Sequence, residues 1–232
     1  MPAPDGIFVM GELGRRIWQG NGYPKEQVLV TGGLRYQHVR ISGRVKPTRG
    51  KFEISILLIA GMNEALDIDM CTAVSIAVQK VPSIHIRLRD HPHYCLSERR
   101  GFRRFRRLIE VTTGTAQEDL NGADLVIFTH SAFAEEALLL GIPTWQWLWA
   151  GFNTSVFLDL PVIPTFSSVA DLRRALQSFV QDPHRYRAKR EVQDLVLRQC
   201  FGADPARASV CIADKIVEFI RDDGKAEMRN CQ

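Results

Sequence analysis

The stretch 123–146, ADLVIFTHSAFAEEALLLGIPTWQ, collects side chains suited to holding an anionic, hydroxyl-rich ligand. Thr129, His130 and Ser131 interrupt two apolar runs. A loop at such a place, at the C-terminal end of a parallel strand, faces the ligand crevice of an open α/β sheet. The helix that follows would turn unpaired N–H groups and the positive end of its dipole toward a phosphate. Glu135 and Glu136 lie in its first turn. Neighbouring helical side chains point about 100° apart, so one of the two is expected in the crevice. Glu136 there would accept hydrogen bonds from a ribose diol, for which a carboxylate has two oxygens. The alternative is that both are solvated acids favoured by the dipole.

Two further places carry chemistry. Gly61 follows the strongest strand signal in the chain, where a backbone often comes close to a phosphate or sugar; a plain tight turn is the alternative. His91 precedes Pro92, whose fixed φ stiffens the loop. An imidazole there can donate to a phosphate or to a base carbonyl, or it can cap the next helix. Asp90, His91 and His93 invite a metal reading, but His-x-His in a loop without a further clear ligand supports it poorly, and no metal site is expected.

These side chains need a scaffold, and the pattern supplies one. Apolar runs of strand length occur at 7–10, 27–31, 52–60, 83–88, 108–111, 125–128, 144–149 and 162–164. Helical stretches are expected at 11–20, 65–80, 132–140, 167–180, 182–199 and 206–222, with a loop and short helix at 112–120. Gly141 and Pro143 stop the helix at 132–140. From residue 52 onward, strand and helix alternate as in a doubly wound parallel α/β domain. Residues 35–51 carry Arg35, Arg40, Arg44, Lys46, Arg49 and Lys51 around Pro47, which suggests an exposed linker; binding of a phosphorylated or membrane-anchored acceptor is the alternative. Arg99, Arg100, Arg103, Arg104, Arg106 and Arg107 surround Phe102 and Phe105. On a helix they would form a solvated basic face, or a basic face with an apolar stripe for a membrane surface. Trp145, Trp147 and Trp149 alternate as on a strand, where core packing is a more frequent use of Trp than stacking on a sugar.

Ser131, Glu136, Ala137, Gly141 and Pro143, written S-x(4)-E-A-x(3)-G-x-P behind A-D-L-V-I at 123–127, resemble the donor-binding segment of GT-B-fold glycosyltransferases. The resemblance implies that Glu136 holds the nucleotide ribose and that the loop 129–131 meets the phosphates or the transferred sugar. Gly22, Tyr23 and Pro24, the strand at 28–30, Thr31 and Gly32 resemble an element of glycan-building GT-B enzymes. In them it lies where the N-terminal domain hands over to the C-terminal one. Gly33-Leu34 stands where that family usually has Asn-Pro or a similar pair. The His91-Pro92 pair, followed later by Ser131, resembles the HP and S motifs of capsule and lipopolysaccharide glycosyltransferases. These include bacterial sialyltransferases and Kdo transferases with CMP-linked donors. That likeness implies that His91 and Pro92 contact the nucleotide and Ser131 the phosphate. Gln117, Glu118, Asp119 and Leu120 lie where the family often reads the nucleobase through main-chain groups.

Composition is ordinary for a soluble globular protein. The chain has 232 residues, 45% hydrophobic and 24% charged, enough for one sizeable core. A net charge of +4 is too small to argue for nucleic acid, which is not an expected partner. Five cysteines without a C-x-x-C pair suggest reduced thiols. There is no run of membrane-spanning length and no signal-peptide pattern, so the expected location is cytoplasmic, with peripheral contact at the inner membrane face as an addition.

The resemblance reaches from about residue 6 to 222 and implies one half of a GT-B architecture. The other Rossmann-like domain would carry the acceptor and usually the catalytic base, so no catalytic residue is nominated. The expected organisation is an N-terminal segment and interdomain linker at 1–51, a Rossmann-like donor-binding domain at 52–222 and a disordered tail at 223–232. The expected function is donor binding, with a CMP-, UDP- or GDP-linked sugar, in a glycosyltransferase of surface polysaccharide or glycan synthesis. Expected partners are that nucleotide-sugar donor, a glycan or lipid-linked acceptor, and a domain or subunit supplying the N-terminal half. The chain would then be a fragment, a truncated product or a natural subunit. No cofactor is expected. A sugar-nucleotide epimerase, a polyol-phosphate transferase of the same fold and a non-catalytic nucleotide-binding subunit are the alternatives. The expected binding residues are Gly61, His91, Pro92, Thr129, Ser131, Glu135 and Glu136.

Overall fold

The computed structural model describes residues 4–37, 54–81, 83–149, 163–186, 189–202 and 204–230. The expectations for Arg40, Arg44, Lys46, Arg49 and Lys51, for residues 150–153 and for Val162 lie outside these. The chain opens with β1 (Ile7–Val9), α1 (Glu12–Gly20) and β2 (Val28–Val30), close to the expected positions. β1 and β2 pair in parallel, Ile7 opposite Val28 and Val9 opposite Val30. Gly22 follows α1 at φ 92°, a left-handed value that needs glycine, and ends the helix.

Then come β3 (Ile54–Ile59), α2 (Glu64–Val78), β4 (Ile84–Arg89), β5 (Ile109–Val111), α3 (Ala116–Gly122), β6 (Leu125–Phe128), α4 (Phe133–Leu139), β7 (Thr144–Trp147), β8 (Thr165–Phe166) and α5 (Val169–Gln181). The six strands from β3 onward form one parallel sheet in the order β5-β4-β3-β6-β7-β8. The pleat explains its continuous apolar sequence. Ile54, Ile56 and Leu58 of β3 enter the core with Met70, Val74 and Ala77 of α2 and with Leu172, Leu176 and Phe179 of α5. Leu57 and Ile59, pointing the opposite way, are also fully buried. Trp145 joins the first face, with ring contacts to Phe166, Phe179 and Tyr186, and Trp147 is buried beside it. The core-packing use of these two tryptophans is the observed one.

Local signals set the ends. Asn63 caps α2 by accepting from the Leu66 N–H. Thr115 and Glu118 make a reciprocal capping box at α3. Gly141, at φ 69°, closes α4, with bonds from its N–H to the Leu138 carbonyl and from the Ile142 N–H to the Ala137 carbonyl. The strand expected at 162–164 is displaced to Thr165–Phe166. Pro164 has no N–H for the ladder but still accepts from the Gln146 N–H. The basic segment is a short 3-10 turn, Arg100–Phe105. Phe102 and Phe105 are buried in the core, so the apolar stripe that a membrane surface would need is used internally. No helix among the described residues is long and apolar enough to cross a membrane.

The helix expected at 182–199 is broken. A 3-10 turn, Pro183–Tyr186, starts under Asp182, whose side chain accepts from the N–H groups of His184 and Arg185. α6 (Arg190–Val196) follows, then a wide turn at Leu197–Phe201, and α7 (Ala208–Asn230). α7 continues past the expected end at Asp222, through Lys225, Ala226, Glu227, Met228 and Arg229, all good helix formers. The chain packs as two compact units, Met1–Arg40 with Glu191–Gln232, and Ile41–Arg190. In the first unit, Tyr36 packs edge-on against Phe201 at 4.6 Å, and a Cβ on Gly11 would lie 2.5 Å from the Gln199 carbonyl oxygen. These contacts draw the last helices to the N-terminal strands.

Candidate functional site

The strand order reverses at β3 and β6. β4 and β5 continue to one side of the pair, β7 and β8 to the other. Loops that leave adjacent parallel strands in opposite directions open a crevice at their C-terminal ends. Gly61 lies in the loop after β3, and Thr129, His130 and Ser131 lie in the loop after β6. Ile59 pairs with Phe128, so the two loops start side by side.

They meet on Asp67, a carboxylate one turn into α2 with no exposed surface. Asp67 Oδ2 accepts from the Gly61 N–H at 2.9 Å, and Oδ1 accepts from the Thr129 hydroxyl at 3.0 Å. Thr129 Oγ1 also lies 3.0 Å from His130 Nδ1. The Gln146 side chain donates to the Thr129 carbonyl at 2.9 Å, holding the loop from β7. Burial pushes the Asp67 carboxyl above the ordinary 3.8, against the hydrogen bonds from Gly61 and Thr129 and the nearby charges of His130 and His91. The close approach expected at Gly61 is made by the protein itself. A Cβ there would fall 2.6 Å from His130 Cε1 and 2.9 Å from its carbonyl oxygen.

His91 leaves the end of β4, beside β3 on the other side. It opens a tight turn to Tyr94, and its Nδ1 accepts from the His93 N–H at 3.2 Å. Pro92 is exposed at the turn's corner. Asp90 caps the next 3-10 turn by accepting from the N–H and hydroxyl of Ser97, so the helix cap expected of His91 falls to its neighbour.

Ser131 Oγ accepts from the Phe133 N–H at 3.3 Å. The Ala134 and Glu135 N–H groups bond to the carbonyls of Ser131 and Ala132. The start of α4 is therefore satisfied by its own loop rather than open as expected. Glu135 and Glu136 are 6% and 8% exposed, which overturns the reading of both as solvated acids. α4 sits on β6 and β7, so even its first turn is covered.

The sequence reading passed over three participants. His130 stands inside the polar break, and Asp67, like Asp69, is an acid in the first half of an otherwise largely apolar α2; a charge so placed was the available signal. Arg89, the last residue of β4, donates to Asp119 at 2.6 Å and to the Gly114 carbonyl at 3.0 Å, and lies 5.3 Å from the centre of the Phe133 ring. Asp119 is 2% exposed and also meets Arg87, at 3.5 Å, and the Thr112 hydroxyl. Two guanidiniums from β4 share that carboxylate. In the segment expected to read a nucleobase, Asp119 thus serves the fold.

By sequence, no family model and no curated protein matches the chain. By structure, it is similar to a variant of the wall teichoic acid polymerase TagF soaked with CDPG, with a TM-score of 0.55 at 17% identity, over 94% of this chain and 58% of that one. It is similar to Anabaena HepE in complex with UDP-glucose, with a TM-score of 0.56 at 11% identity, over 92% and 64% of the two chains. It is also similar to the UDP-GlcNAc 2-epimerase from Neisseria meningitidis bound to UDP-GlcNAc, with a TM-score of 0.62 at 10% identity, over 92% and 62%. The chain spans less than two thirds of the length of each. At these identities the likeness is one of fold. The class so defined is the doubly wound, Rossmann-like α/β fold of one half of a GT-B architecture.

Proposed function

We propose that this chain is the donor-binding half of a glycosyltransferase acting in surface polysaccharide or glycan synthesis, with a nucleotide-activated sugar as donor. The observation that carries the reading is the switch point itself: the loops after β3 and β6 converge there on Asp67. A nucleotide in that crevice would meet the loop 129–131, seated on Gly61, and His91 and Pro92 from a second loop, with the buried Glu135 and Glu136 behind. Glu136 would take the ribose diol, and Ser131 and His91 the phosphate or base. The reaction would be attack of an acceptor hydroxyl on the donor's anomeric carbon, with the nucleotide phosphate leaving.

The acceptor, a glycan or a lipid-linked glycan, would sit on a second domain or subunit. The shared length with the neighbours supports this, as does the first unit, where Phe8, Met10, Ile17, Trp18 and Leu34 are exposed. The structures of HepE with UDP-glucose, the epimerase with UDP-GlcNAc and TagF with CDPG support a nucleotide-linked donor without choosing its base. A second reading, a sugar-nucleotide epimerase, is favoured by the higher TM-score of that neighbour. Calorimetric titration with CMP, CDP and UDP tests the first reading. One nucleotide should bind, and Glu136→Ala and His91→Ala should each weaken it. No binding by the folded chain, or binding indifferent to both substitutions, would sink the site assignment. Product analysis with UDP-linked sugars separates transfer from epimerisation.

A further inference from the structure

The contacts around Asp67 determine where one hydrogen lies. Asp67 Oδ1 takes the Thr129 hydroxyl at 3.0 Å while Oδ2 takes the Gly61 N–H at 2.9 Å. A threonine hydroxyl has a single hydrogen, and a carboxylate can only accept. With that hydrogen given to Asp67, the 3.0 Å contact between Thr129 Oγ1 and His130 Nδ1 needs a hydrogen from the ring. The neutral imidazole then carries its hydrogen on Nδ1 and a lone pair on Nε2. Among the described residues the ring's hydrogen bond is the one at Nδ1, and the ring is only half-buried. Its position depends on glycine, since a Cβ on Gly61 would lie 2.7 Å from Nε2. Gln146, gripping the Thr129 carbonyl, anchors the middle of the chain of contacts.

We propose that Asp67, Thr129 and His130 form a proton-ordering relay that fixes the His130 tautomer and presents its bare Nε2 to the crevice as the acceptor for a hydroxyl group of the bound nucleotide. Asp67 and Thr129 are positioning residues in this scheme, and His130 is the group that touches ligand. The ligand side of the inference rests on the donor-site reading above; the relay itself does not. It also gives the second oxygen of a buried acid, whose first holds the Gly61 N–H, a role beyond packing.

Nitrogen-15 NMR of the imidazole rings, at a pH where His130 is neutral, reads the tautomer directly. In the unaltered chain, Nδ1 should resonate as a protonated nitrogen and Nε2 as a bare one. Asp67→Asn should reverse them: the amide oxygen keeps the Gly61 N–H, the amide NH2 donates to Thr129, and the freed hydroxyl hydrogen goes to Nδ1. Thr129→Ser keeps the hydroxyl and should keep the original order, which guards against misreading a collapsed variant. CMP, CDP or UDP should then shift the Nε2 signal and leave Nδ1 in place. A hydrogen on Nε2 in the unaltered chain, or an order unmoved by Asp67→Asn in a folded variant, overturns the relay whether or not nucleotide binds. The expected tautomer with no response to any of the three nucleotides upholds the relay and overturns the donor reading beneath it.

Discussion

Two histidines follow parallel strands of the same sheet, yet the fold treats them differently. His91, after β4, is tied into its own turn, with Nδ1 accepting from the His93 N–H two residues on. His130, after β6, is tied through Thr129 to a buried acid that lies 62 residues before Thr129. A local contact of the first kind is built by loop sequence and stays wet. One of the second kind exists only once two strands have paired, and it sits where water cannot substitute for a lost partner. The loops after β3 and β6 should therefore respond steeply to small changes that the loop after β4 absorbs.

The largest effect is expected at Gly61. Gly61→Ala drives a Cβ into His130, and overpacking of that kind costs about 1–3 kcal/mol or more. His93→Ala, in an exposed turn, should stay within about 0.5 kcal/mol. Urea unfolding of both variants checks the contrast, and equal losses would break it. Next comes Thr129→Val, which leaves Asp67 a hydrogen bond short in the interior and should cost about 1–3 kcal/mol. Ser97→Ala removes the equivalent hydroxyl from half-buried Asp90, where water can replace it, and should cost about 1 kcal/mol or less.

A third contrast is in pH. Burial raises the Asp67 carboxyl above 3.8, so the folded chain holds this proton more tightly than the unfolded one. Stability from this group is fully present below 3.8 and declines as pH rises through the raised value. Unfolding midpoints of the unaltered chain should fall relative to those of Asp67→Asn across that window, and parallel curves would count against a desolvated acid. The smallest effect concerns reactivity. Burial pushes the Cys71 thiol, on the same helix as Asp67, far above its ordinary value. Iodoacetamide should spare Cys71 in the native chain while reaching half-buried Cys95, with mass spectrometry locating the label.

Most of the scaffold was legible from sequence because its causes are local. The run 52–60 is apolar at alternate and intervening positions alike, as a strand covered on both faces must be, and it became β3. Gly141 was readable as a helix stop because a left-handed residue after α4 needs glycine. The site was legible only in outline. The loops after β3, β4 and β6 were identified as the places to look, and the structure puts Gly61 and Thr129 on one carboxylate. Their roles were not readable. Ser131 and the first N–H groups of α4 satisfy one another, and the two glutamates lie under cover, because those outcomes depend on how closely α4 sits on β6 and β7.

What the sequence alone determined is the alternation of strand and helix, the stops between them and a polar break at 129–131, all consequences of side-chain period and backbone freedom within a few residues. Only the tertiary structure decided the strand order that reverses at β3 and β6, the return of α6 and α7 to the N-terminal unit, and the meeting of Gly61, Asp67, Thr129 and His130. Those contacts join residues far apart in the chain, and a hydrogen bond to a buried carboxylate gains its strength only when the packed sheet has excluded water around it.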